Sequence, residues 1–314
     1  MQASIEKKRK AVSLGEMGKK LYKDRALYLI SLPFVIYFLL FVLRPMWGIQ
    51  IAFRDYNVYE GIAASPWVGL KHFQNFLSGP YFVRNLRNTL IINLYGLIFV
   101  FPAPIVLAVL LNEIKNLRYK KTVQTITYLP HFISVVVVAG ILTNLLSPSS
   151  GLINILLEKF GHERIYFLMQ PQYFRAIYTL MDIWKETGFG AIVYVSAMAS
   201  IDVSLYEACI MDGGKKWTQF VHITLPGILP TIVIMFIMRV GNMLNVGYEA
   251  ILLLYQPTTY EVADVISTYV YRTGLTNGDY SLATAVNLFN SLIGILLVWL
   301  SNTVSKHAVG NGLW

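Results

Sequence analysis

Six apolar segments, each long enough to cross a bilayer, constrain this chain more than any other feature. They run over Ala26–Met46, Asn88–Leu111, Thr122–Leu146, Phe174–Ile201, Leu225–Leu254 and Ala283–Val304. About 20 mainly apolar residues in a helix cross the ~30 Å hydrocarbon layer. The fourth and fifth segments are interrupted by polar residues and glycine. Composition agrees: 55% of the 314 residues are hydrophobic and 14% charged, against about 25% charged in a soluble domain. The 17 Phe, 20 Tyr and 6 Trp also suit a bilayer, because aromatic rings populate its interfaces. The sequence therefore predicts an all-α membrane protein with six transmembrane helices.

Charge orients the spans. With the N-terminus inside, the inside segments hold nearly twice as many Lys and Arg as the outside ones, as the positive-inside rule requires. Both termini are then cytoplasmic, and so is Asp202–Thr224. The net charge of +9 reads as this flanking charge and not as a nucleic-acid surface. The chain divides into a basic tail over 1–25, a six-span domain over 26–304 and a short cytoplasmic tail over 305–314. The apolar run after the basic tail is longer than a signal-peptide core, and no small-residue cleavage pattern follows it. An uncleaved first span is expected, with the tail lying on the anionic inner leaflet. The outside segment Trp47–Arg87 is rich in aromatics and reads either as interfacial packing or as a docking surface for an external partner.

The segment Asp202–Thr224 is a short polar stretch between two spans. Asp202 and Ser204 are both suited to cap a helix, and Ser204 with Glu207 three residues on fits a capping box. Glu207 and Asp212 fall in early turns, where a helix favours negative charge. Gly213 and Gly214 each cost a helix about 1 kcal/mol relative to alanine. Either the chain turns there or another backbone approaches closely. Pro226 and Pro230 reset the backbone as the fifth span begins.

Glu207-Ala208-Cys209, Gly213 six residues after Glu207, and Ile223, Leu225 and Pro226 follow the spacing of a known motif. By these residues the chain resembles the membrane subunits of binding-protein-dependent ABC importers. It departs from their pattern once, with Cys209 in place of a second alanine. Tyr206, Asp212, Trp217 and the run Trp67–Phe73 are similar to the sugar-transporting branch. Val123–Phe132 and Phe101–Glu113 are similar to the polysaccharide-type permeases, relatives of which take up alginate or pectin fragments. The resemblance covers essentially the whole chain.

The resemblance implies that Asp202–Thr224 is a coupling helix seated in a groove of an ATP-binding subunit. Glu207 and Asp212 would make polar contacts there, Gly213 would permit close approach, and Ala208 and Cys209 would pack in the groove. It further implies two ATP-binding subunits that hold ATP and Mg²⁺, a homologous second permease, an extracytoplasmic solute-binding protein, an oligosaccharide cargo (an anionic, alginate-like one included), and a place in the bacterial inner membrane. The chain itself has no G-x-x-x-x-G-K-[ST] loop to cradle phosphates. No H-E-x-x-H or G-x-S-x-G motif occurs. A single cysteine, Cys209, excludes an internal disulfide framework. No cofactor and no catalytic group is expected in this chain.

Ionisable residues inside spans are costly and face a cavity or a partner. Asp182, Lys185 and Glu186 share one helical face of the fourth span and can pair. Arg239, Asn242, Asn245 and Glu249 form a polar stripe in the fifth, and Asn287, Asn290 and Ser291 another in the sixth. These stripes either line a hydrated passage or hydrogen-bond helices together. Arg239 is suited to a bidentate grip on a sugar carboxylate. Other assignments remain open at this level: an ABC permease for another polar solute, a secondary transporter, for which no inverted repeat is visible, or a membrane enzyme.

Overall fold

The structure is a computed structural model and describes residues 23–310 and 312–314. The expected basic tail therefore lies outside the described residues, apart from Lys23–Arg25. The first helix, α1 (Arg25–Phe53), is apolar along its length, and none of its most apolar stretch is covered by the rest of the chain. It runs on beyond Met46, so the outer segment expected from Trp47 begins only at Arg54. The reason is tertiary: Trp47–Phe53 tightens into 3₁₀ turns and packs on the C-terminal helix, with Ala52 fully buried.

The segment after α1 is short on regular structure. Arg54 and Trp67 pair across an isolated bridge, Trp67 stacks on Phe53 at 5.5 Å, and the small helix α2 (Lys71–Leu77) follows. Then come α3 (Phe82–Glu113) and α4 (Leu117–Phe132), which turns through 99° into α5 (Val135–Leu145). After α6 (Leu152–Lys159), the long α7 (Pro171–Ala199) bends by 70° into α8 (Val203–Met211). The chain ends with α9 (Lys216–Gly241), α10 (Tyr248–Leu254), α11 (Ile266–Tyr271) and α12 (Tyr280–Val309).

The architecture is all-helical. Among the described residues, four helices, α1, α3, α9 and α12, are each long and apolar enough to cross a membrane, and there are up to six spans if each bent pair counts as one. Two expected spans depart from their predicted course. The third bends because Pro130 withholds a backbone N–H and Ser134 caps a new helix through Val137 N–H. The fifth stops at Gly241, where Asn242 turns its side-chain amide back to Met238 O at 3.0 Å. The chain restarts only at Tyr248.

Three of the four π-helical turns among the described residues, Phe38–Leu43, Gly96–Val100 and Phe220–Thr224, each precede a proline, namely Pro45, Pro102 and Pro226. A proline ring crowds the carbonyl one turn back, and widening that turn relieves the crowding. Proline spacing in the sequence thus shapes the helices locally.

Helix α7 is the hub. Its N-terminal half sets Phe174, Tyr178 and Met181 against Ile92 of α3, Val138 of α5 and Ile251 of α10. Its C-terminal half sets Ala191, Tyr194 and Met198 against Ala108 of α3 and Ile228 of α9. Gly188 lies directly on the backbone of Thr127, a contact that no side chain would permit. In lipid, such close approach supplies the dispersion energy that water exclusion supplies elsewhere.

One end of the helix bundle is tied by charge. Asp264 is fully buried and accepts bidentate bonds from Arg272 at 2.8 Å each, one from Arg84 at 2.7 Å and one from Thr268 at 2.8 Å. These bonds push the Arg272 guanidinium pKa further above its usual range. Asn88 of α3 donates to Glu261 O and Asp264 O and accepts from Arg175 of α7. Sequence reading missed this network, because its members lie up to 180 positions apart.

Candidate functional site

Two regions hold most of the residues singled out above. The first is the helix-turn at the end of α7. Asp202 caps α8 by accepting from Ser204 N–H at 2.9 Å. That bond holds its carboxyl below the usual carboxylate range. The capping box expected at Ser204 with Glu207 does not form, because Asp202 already occupies the cap. At the other end, Gly213 N–H donates to Ile210 O at 3.0 Å and Gly214 N–H to Cys209 O at 2.8 Å. This is a Schellman closure, and it needs a left-handed residue, which Gly213 supplies with φ of +78°. Of the two explanations for the glycine pair, the turn is the one seen.

No residue of α8 is buried. Glu207, Ala208, Asp212 and Gly213 are exposed, while Cys209 is half-buried beneath Gly214. Beside them stand Val203, Leu205, Ile210, Met211, which is 85% exposed, and Trp217, which is 73% exposed. The capped end of α8 is thus ringed by exposed apolar side chains. The rest of the motif anchors it. Tyr206 Oη meets Thr224 Oγ1 at 3.0 Å, Ile223 and Leu225 are half-buried, Pro226 is exposed, and Lys216 pairs with Glu113 of α3 at 2.8 Å.

The second region is polar space between α3, α7, α9 and α12. Asp182 and Arg239 face each other at 3.9 Å in a cavity of about 150 Å³, with Asn93, Thr179 and Asn245 also in its wall. Asn245 opens onto two grooves. One, of about 490 Å³, takes Tyr248 and Asn287; the other, of about 460 Å³, takes Asn242, Asn290, Ser291 and Trp299. The structure thus gathers Asp182, Arg239, Asn242, Asn245, Asn287 and Asn290, although the break after Gly241 means that no continuous helix carries the fifth-span stripe. Glu249 is exposed on α10 and lines none of these spaces.

Lys185 and Glu186 go elsewhere, so the expected pairing with Asp182 is corrected. Lys185 donates to His131 O at 3.0 Å and pairs with Glu186 at 3.1 Å, while His131 Nδ1 lies 2.8 Å from Glu186. The imidazole stacks on Phe189 at 4.0 Å. This cluster clamps the α4–α5 bend onto α7. Nothing near His131 in sequence hints at a partner 55 positions away.

These shapes match known proteins. Residues 101–309, more than half of the chain, match the model of the binding-protein-dependent transport system inner membrane components. The chain belongs to this family. The family relatives agree over nearly the full length. The polygalacturonan/rhamnogalacturonan transport system permease protein YteP of Bacillus subtilis is 45% identical over 94% of this chain and 92% of its own. Protein LplB of Bacillus subtilis is 43% identical over 94% of this chain and 92% of its own. Among solved structures, a chain of the bacterial alginate ABC transporter in complex with alginate pentasaccharide-bound periplasmic protein superposes with a TM-score of 0.86. It is 45% identical, covering 94% of this chain and 99% of that one. As a family member the chain is a permease subunit of an ABC oligosaccharide importer.

Proposed function

We propose that this permease carries acidic oligosaccharides inward across the bacterial inner membrane, paired with a homologous permease, with two ATP-binding subunits beneath and a solute-binding protein outside. The single observation that carries the coupling part is the exposed α8 closed by Gly213. It is a rigid, capped knob with bare apolar flanks, joined to α9 through Tyr206 and Thr224. A push on α8 is transmitted to α9, which carries Arg239, and through α7 to Asp182. ATP and Mg²⁺ belong to the partner subunits, whose closure supplies the push. Glu207, Ala208, Cys209, Asp212 and Gly213 form the contact, and Ile223, Leu225 and Pro226 hold it to the span.

The acidic cargo is supported by two relatives, a permease named for polygalacturonan and rhamnogalacturonan and a transporter crystallised with an alginate pentasaccharide on its binding protein. The line of amides from Asn242 to Asn290 offers donors and acceptors to sugar hydroxyls. The test is ATP hydrolysis by the reconstituted importer. Loaded binding protein should stimulate it, and Gly213→Trp should abolish the stimulation. Equal rates in wild type and mutant, with no ATPase co-purifying, would overturn the coupling. Stimulation by a different class of polar solute alone would overturn the cargo.

A further inference from the structure

Two of the arginine–carboxylate contacts among the described residues differ in purpose. Arg272 grips Asp264 with two bonds of 2.8 Å around a fully buried carboxylate, as a structural fork does. Arg239 lies 3.9 Å from Asp182, and among the described residues its guanidinium makes no hydrogen bond. Its five N–H donors are therefore held by attraction alone and remain unspent. Arg239 reaches this position by lying across the Cα of Gly96 on α3, where any side chain would collide with its Nη2. Both charges face the 150 Å³ cavity. At about 30 Å³ per water, that space suits a carboxylate and a few waters. Sugar rings belong in the two larger grooves that meet it at Asn245.

The geometry points to a charge-exchange selector: Asp182 is a resident counter-ion that an acidic sugar's carboxylate displaces from Arg239, and Gly96 is the residue that keeps Arg239 within reach. This rests on the oligosaccharide-import reading and adds the residues that separate acidic from neutral cargo. A weak resting pair costs little to break, and the incoming carboxylate gains the two-pronged bond that Asp182 does not make. Asp182 also clears the site, since it recaptures Arg239 as the cargo moves on. A passage needs this balance, because a site that binds too tightly does not conduct. Neutral sugars leave the pair intact and pass by the amides alone.

Opposite effects of the two charged residues test it. The complete importer in lipid nanodiscs is titrated calorimetrically with trigalacturonate and with its methyl ester, without binding protein, and then assayed for ATP hydrolysis with it. Arg239→Gln should weaken the acid about tenfold or more and leave the ester unchanged. Gly96→Ala should act in the same direction. Asp182→Asn should bind the acid several-fold more tightly and turn over more slowly, a gain that misfolding cannot produce. Equal losses for acid and ester, or weaker acid binding in Asp182→Asn, would overturn the selector and leave sugar import standing. A wild-type importer that binds and responds to no saccharide would overturn both.

Discussion

Gly213→Ala isolates what the left-handed turn contributes. The glycine sits at φ of +78°, and a Cβ added there would meet nothing within 4 Å. Alanine therefore brings backbone strain without a clash inside the chain. A left-handed non-glycine residue costs roughly 1–2 kcal/mol, which shifts the population of the closed turn about 5- to 30-fold. The expected result is a fall of that order in binding-protein-stimulated ATP hydrolysis by the reconstituted importer, with the permease still present in the membrane. Asparagine tolerates this conformation better than alanine, so Gly213→Asn should lie between wild type and alanine. If the partner's backbone also approaches here, Gly213→Trp should lose more than alanine does. Wild-type stimulation in Gly213→Ala would refute the claim that the turn's geometry sets coupling.

Three further outcomes are expected. Asp264→Ala strands Arg84 and Arg272 at a buried site, which should lower stability by about 3–5 kcal/mol; an unchanged melting temperature in detergent would show that the Asp264 network is not structural. Gly188→Ala forces α7 off the backbone of Thr127, at about 1–3 kcal/mol for overpacking, and an unshifted thermal melt would contradict this. The Asp202 cap is depressed in pKa by the Ser204 N–H. Its contribution is thus complete above the unfolded carboxylate value near 4 and is lost as pH falls through the lower folded value. Hydrogen exchange at the first α8 amides should speed up across that window and lose the dependence in Asp202→Asn; an identical profile in the variant would exclude the cap.

The sequence by itself determined the all-helical membrane class, because an apolar run of span length leaves little choice of solvent or secondary structure. It also determined the α8 motif, whose cap, turn glycine and prolines act within a few residues of one another. Local chemistry is written locally: Asp202 needs only Ser204, and Gly213 only Ile210 and Cys209. Tertiary structure decided what distance in sequence conceals. The break after Gly241 undid a stripe that helical spacing predicted, since the spacing argument assumes that the helix continues. Asp182 found Arg239 and not Lys185, because α9 crosses α7 beside Gly96 while the α4 bend brings His131 to Glu186. Span length and capping follow from residues a few positions apart, whereas a charged side chain's partner depends on which helices cross, and only the packed chain settles that.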